Sequence, residues 1–150
     1  MKLNIAVIFG GRSVEHEISV LSAQQCIAAL DQNKYQVVPI YISKQGQWYT
    51  GEKLLNLDNY RDLEKLLVQS QKVVINQNAG SGEIYKESVG IFGIGKRQIV
   101  AIDIAFPVTH GSYGEDGSLQ GLLETMNIRE GVSMTARQLA ECCREYLGSL

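Results

Sequence analysis

Residues 3–42 constrain the fold more than any other part of this sequence. Leu3-Asn4-Ile5-Ala6-Val7-Ile8-Phe9 is a short, β-rich apolar run closed by Gly10-Gly11, which reads as a buried parallel strand. Ser13 is a good N-cap for a following helix. In that helix Val14, Ile18, Leu21, Ile27 and Leu30 fall on one broad face, and Asp31-Gln32-Asn33 closes it. Tyr35 to Ile42 reads as a second strand, where Pro39 costs a ladder bond and implies an edge or a local irregularity. Strand, helix and strand joined by a right-handed crossover make a βαβ unit, so the chain is of the α/β class. With 150 residues, 45% of them hydrophobic, it can fill the core of one domain.

A second strand-to-helix transition lies late in the chain. The buried run from Ile102 to Pro107 leads into the polar, glycine-rich stretch Thr109 to Gly117, and Leu119 to Met126 reads as a helix. Such a transition builds a mouth at the carboxyl end of a strand, where open α/β sheets bind ligands. His110 stands at the end of the strand. Glu115 and Asp116, between Gly114 and Gly117, stand where the helix begins and its free N–H groups favour negative charge. The first transition carries Gly10-Gly11-Arg12-Ser13-Val14-Glu15-His16-Glu17. Its glycine pair lets backbone approach a ligand, but it is not a dinucleotide fingerprint, because the third glycine is missing and no acid closes the second strand. Glu15, in the first helical turn, points to the mouth, where a carboxylate repels phosphate and holds an ammonium group. Two plainer readings stand beside this one. Glu15 and Glu17 can simply complement the helix dipole, and His110 and Asp116 can be a core histidine and an N-cap. Together the two motifs favour a cleft lined by Glu15 and His110.

Elsewhere the pattern is weaker. Lys44 to Tyr49 reads as a turn and an extended segment under the sheet's edge, and Tyr60 to Leu67 as a short helix. Residues 72–100 hold short β-rich pieces between Asn-, Gly- and Ser-containing loops and read as an excursion from the α/β core. Thr135-Ala136-Arg137-Gln138 fits a capping box ahead of an amphipathic helix with Leu139, Cys143, Tyr146 and Leu147 on one face. A net charge of -2 gives no electrostatic footprint for nucleic acid or an acidic membrane. No apolar run spans a bilayer, and the N-terminus lacks a signal-peptide core. Cys26, Cys142 and Cys143 offer neither a disulfide framework nor metal-ligand spacing. A soluble, cytoplasmic protein without its own metal site is expected.

Taken together and in this order, Ile8 to Val20 and His110 to Gly121 resemble the D-alanine–D-alanine ligases of bacterial cell-wall (peptidoglycan) synthesis, and Val37 to Trp48 is similar to them as well. The resemblance covers about residues 3–128. It implies a Rossmann-like (pre-ATP-grasp) lobe, a mostly parallel sheet with helices on both faces, followed here by the C-terminal amphipathic helix. It also implies an ATP-dependent reaction in which the first D-alanine's carboxylate is phosphorylated and the second D-alanine's amine attacks the acyl phosphate. By this resemblance Glu15 holds the first D-alanine's ammonium and His110 lies beside its carboxylate, with Gly10, Gly11, Ser13 and Val14 around the substrate. Gly114, Glu115, Asp116 and Gly117 shape the cleft wall. Family members are commonly homodimers through this lobe. They are also about twice this length or more, so ATP and Mg²⁺ are expected in domains absent here. After Ile128 this chain reads Arg129-Glu130-Gly131-Val132-Ser133-Met134, where the family has a Pro-aromatic-Val-Gly turn, so residues 129–150 are expected to be an atypical tail. The expectation is half of a D-alanine site, catalytically silent alone. Two other classes stay open: a small Rossmann-type nucleotide-binding domain, and a stand-alone oligomerising interaction module.

Overall fold

A computed structural model describes residues 2–76, 82–86, 98–111 and 116–130. In chain order the elements are β1 (Leu3–Gly10), α1 (His16–Ala29), β2 (Tyr35–Ile42), β3 (Trp48–Thr50), 3-10 turns at Glu52–Leu55 and Leu57–Arg61, α2 (Leu63–Gln69), β4 (Gln71–Ile75), β5 (Glu83–Lys86), β6 (Gln98–Ala101), β7 (Ile104–Val108), α3 (Ser118–Thr125) and β8 (Arg129–Glu130). The strands form one sheet in the order β6-β5-β4-β3-β2-β1-β7-β8. The β2-β1-β7-β8 part is parallel, and β3 to β6 extend it antiparallel from the β2 side.

β1 is apolar at successive positions because both of its faces are covered. Ile5, Val7 and Phe9 pack under α1 with Val20, Ala23 and Ile27, together with Tyr41, Leu54 and Leu66. Ala6 and Ile8 face the other way, into a second cluster with Ile40 and with Leu119, Leu123 and Met126 of the α3 segment. The expected α/β lobe with helices on both faces is therefore present.

Four expectations need correction. The apolar row on α1 does not face the core: Val14, Ile18 and Leu21 are 97%, 53% and 46% exposed, while His16, Ser19, Ser22, Ala23 and Cys26 are buried with Val20 and Ile27. The inward face is polar because it bonds to strand ends, as set out below. The described parts of residues 72–100 do not leave the sheet, since β4, β5 and β6 lengthen it by antiparallel pairing. Pro39 lies in an inner strand, not at an edge. Its carbonyl accepts from Thr50 Oγ1 at 2.7 Å, and Thr50 is the last residue of β3, so the missing N–H faces the side where that neighbour has ended. The turn after β2 and the helix near Tyr60 are both present, the latter as a 3-10 turn followed by α2. Ser13 is not the N-cap of α1; that position is Glu15, and its side chain makes no capping bond. The expected tail helix, with Cys142 and Cys143, lies outside the described residues.

Candidate functional site

β1 feeds α1 and β2 on one side, while β7 sits on its other side and feeds α3 and β8. The chain thus reverses direction across the sheet between β1 and β7, and the crevice at their carboxyl ends is the topological switch point. Gly10, Gly11, Thr109 and His110 all lie at these ends and line a cavity of about 320 Å³, closed by Trp48 and Leu119 among others.

The switch point is held together by one serine. Ser19 Oγ accepts from Gly10 N at 2.8 Å and donates to the Val108 carbonyl at 2.5 Å, so α1 ties the end of β1 to the end of β7. One turn on, Ser22 Oγ is 3.1 Å from His110 Nε2. His16 completes the row. Its Nδ1 lies 2.7 Å from the Gly11 carbonyl, which can only accept, so Nδ1 carries the proton and Nε2 accepts from the Tyr41 hydroxyl at 2.9 Å. Burial, with the Glu17 charge second, pushes the Tyr41 phenol up to about 12.

These bonds decide what the glycine loop can hold. Gly10 N is taken by Ser19, and Gly11 N donates to the Ile42 carbonyl at 2.8 Å. A phosphate cradle needs such amides free. Gly10 is required by close packing at φ +88°, since a Cβ there would run into the Ile42 carbonyl. These two glycine amides are therefore not available to a nucleotide's phosphates. Among the described residues, no cluster of three or more His, Cys, Asp or Glu could hold a metal ion.

Glu15 stands on the α1 side of the crevice and is exposed. Gly111, at φ +72°, lies so near Ser13 and Glu15 that a Cβ on it would be 2.6 Å from Ser13 Oγ and 3.0 Å from Glu15 Oε2. Ser13 Oγ also accepts from Glu15 N at 3.1 Å. Ser13, Glu15 and Gly111 thus converge next to His110, while the cavity opens past His110 toward α3. The structure brings Gly10, Gly11 and His110 to the cavity wall and gathers Ser13 and Glu15 beside it; Val14 points to solvent. Glu17 is drawn away to Lys44 at 2.5 Å, and that hydrogen bond holds its carboxyl below the usual range. Asp116 is not the N-cap of α3, which is Gly117 in the left-handed conformation at φ +83°; from one residue earlier its Oδ1 accepts from Ser118 N at 3.0 Å. Gly114 and Glu115 lie outside the described residues.

Sequence reasoning missed Ser19, Ser22 and Thr109. The serines were findable, because with His16 they form a polar row at helical spacing. Thr109 gave no signal: its Oγ1 is buried on the cavity wall with no hydrogen-bond partner among the described residues.

Known proteins with this sequence pattern and fold agree with one another. The family model described as the D-ala D-ala ligase N-terminus matches residues 4–130. A D-alanine–D-alanine ligase from Thermosipho melanesiensis is 41% identical over 126 residues, which are 84% of this chain and 33% of that protein. Among solved structures, the VanG D-Ala:D-Ser ligase from Enterococcus faecalis superposes with a TM-score of 0.69 at 35% identity, covering 87% of this chain and 35% of that one. The D-alanine–D-alanine ligase from Coxiella burnetii gives 0.70 at 32% identity, covering 99% and 40%. The chain spans between 33% and 41% of the length of the curated relatives it matches.

Proposed function

Because the chain belongs to the D-alanine–D-alanine ligase N-terminal family, we propose that it is the lobe of such a ligase that receives the first D-alanine and that it performs no ligation by itself. The observation that carries this reading is the exposed Glu15 carboxylate set against Gly111 and beside His110, at a switch point whose glycine amides are already bonded. A carboxylate there suits an ammonium group, and the two glycine amides are not free to cradle a phosphate. Glu15 binds and orients the amine. His110, steadied by Ser22, lies where the substrate's carboxylate approaches, and no proton-transfer step is assigned to it. Ser13 and Gly111 fix the position of Glu15. ATP and Mg²⁺ belong to the part of the ligase that this chain does not span. The lobe is cytoplasmic in this reading, with residues 1–128 as its body and 129–150 as a tail, and it pairs as a homodimer, which sedimentation at micromolar concentration checks.

The direct test is an NMR titration of the 150-residue chain with D-alanine. Resonances of Glu15, His110 and Gly111 shift with D-alanine and less with L-alanine. Glu15→Gln weakens binding about tenfold or more, the range for losing a charged hydrogen-bond partner. Incubated with ATP and D-alanine, the chain forms no dipeptide. ATP-dependent D-alanyl-D-alanine formation by the chain alone, abolished in E15Q, would overturn the second half of the proposal. D-alanine shifts that are unchanged in E15Q would overturn the first.

A further inference from the structure

Four strands meet in one row at this edge of the sheet. Phe9 pairs with Val108, Gly10 with Ile42, and Ile42 with Trp48, so Thr109, Gly10, Ile42 and Trp48 follow one another across the ends of β7, β1, β2 and β3. The cavity of about 320 Å³ runs along this row, and Ile42, Trp48 and Leu119 on its wall belong to the apolar cluster on the α3 face. Glu15 stands at the head of α1, which covers the opposite face. Side chains alternate along β7, with Phe106 and Val108 turned to the α1 cluster and Ala105 to the other. Continuing that alternation, Thr109 turns into the cavity and His110 back to Ser22 of α1. The cavity thus borders the amine crevice at His110 but lies on the other face of the sheet.

The wall determines what such a chamber takes. Trp48, Ile42, Leu119 and Leu122 offer apolar surface for a ring or a branched chain. Thr109 is only 6% exposed, and its Oγ1 has no hydrogen-bond partner among the described residues. Buried hydroxyls are nearly always bonded, so one left open on a cavity wall points to a polar atom supplied from outside the chain. Arg12 stands at the mouth, its stem against the turn at Gly46, where a Cβ would lie 3.2 Å from Arg12 Cδ. Neither Asp nor Glu is among the described lining residues, so the local charge favours an anion. We propose that this cavity is a second binding site, separate from the amine crevice, for a small carboxylic acid with an aromatic or branched apolar body. The body packs against Trp48 and Leu119, and the carboxylate accepts from the Thr109 hydroxyl on the Arg12 side. The two bonded glycine amides take no part in it.

Trp48 is the single tryptophan, so its fluorescence reports on the chamber directly. Phenylacetate added to the 150-residue chain changes that emission saturably, with a Kd of about 1 mM, in keeping with a ligand of about ten non-hydrogen atoms. The neutral phenylacetamide binds about fivefold more weakly or worse, and the cationic phenethylamine more weakly still. Thr109→Val weakens phenylacetate about fivefold or more, yet unfolds in urea at an unchanged or higher midpoint, because the hydroxyl it removes bonds to nothing within the described chain. Arg12→Gln, at an exposed position, weakens phenylacetate but not phenylacetamide, and serves as the second variant where Thr109→Val does not fold. D-alanine in excess leaves the phenylacetate titration unchanged. No saturable change with any of the three compounds up to about 10 mM overturns the proposal. So does an amine held as tightly as the acid, or full phenylacetate affinity in both variants. Displacement of phenylacetate by D-alanine returns the cavity to the amine crevice and overturns it too.

Discussion

Ser19 does more for the architecture than its size suggests. Removing its hydroxyl in Ser19→Ala leaves the Gly10 N–H and the Val108 carbonyl buried without a partner, so the variant loses about 1–3 kcal/mol in urea unfolding. Gly111→Ala separates stability from binding. The left-handed φ costs about 1–2 kcal/mol, and the new methyl displaces Ser13 and Glu15, so D-alanine shifts at Glu15 are lost even where the chain remains folded. Tyr41 sets an alkaline limit. Its phenol is held protonated in the folded chain, so its contribution is complete below the ordinary tyrosine pKa near 10 and is lost as pH rises through about 12. Unfolding midpoints measured from pH 9 to 12 fall across that window, and Tyr41→Phe flattens the fall. Glu15 and His110 could be found in the sequence because charge and ring chemistry are unusual at strand ends. Ser19 could be found only as part of a polar row with His16 and Ser22 at helical spacing; which backbone groups it ties together depends on β7, far along the chain.

α1 shows where element-level reading fails and why. Apolar periodicity normally marks the inner face, but here that face bonds to strand termini and the apolar residues are left outside. Helix existence was legible from its flanking glycines and acids; its orientation depended on contacts with β7, far along the chain. Leu21→Ser therefore changes the stability of the lone chain by no more than about 0.5 kcal/mol, whereas Ala23→Leu on the packed face costs about 1–3 kcal/mol; denaturant midpoints of the two variants check this. The β-rich pieces at β4 and β6 were legible, but β5 and the pairing of all three into the sheet were not, for a related reason. Each is only four or five residues long, and its stability comes from neighbours rather than its own pattern.

At the scale of the whole molecule, the parallel centre was visible because residues 5–9 and 104–108 are apolar throughout, as strands covered on both faces must be. Hydrogen exchange should rank the strands accordingly, with amides of Ile5 to Phe9 the slowest and those of the outermost strands β6 and β8 the fastest. The serine clamp also sets an order of assembly. Ser19 and Val108 are 89 residues apart, so a ribosome adding about 5–20 residues per second releases them roughly 4 to 18 s apart. Throughout that interval the nascent βαβ unit carries Ser19 and Ser22 without Val108 and His110, while His16 already has both of its partners. The mouth is the last thing such a chain can make, and a messenger broken before codon 108 yields a helix and strands but never a finished crevice.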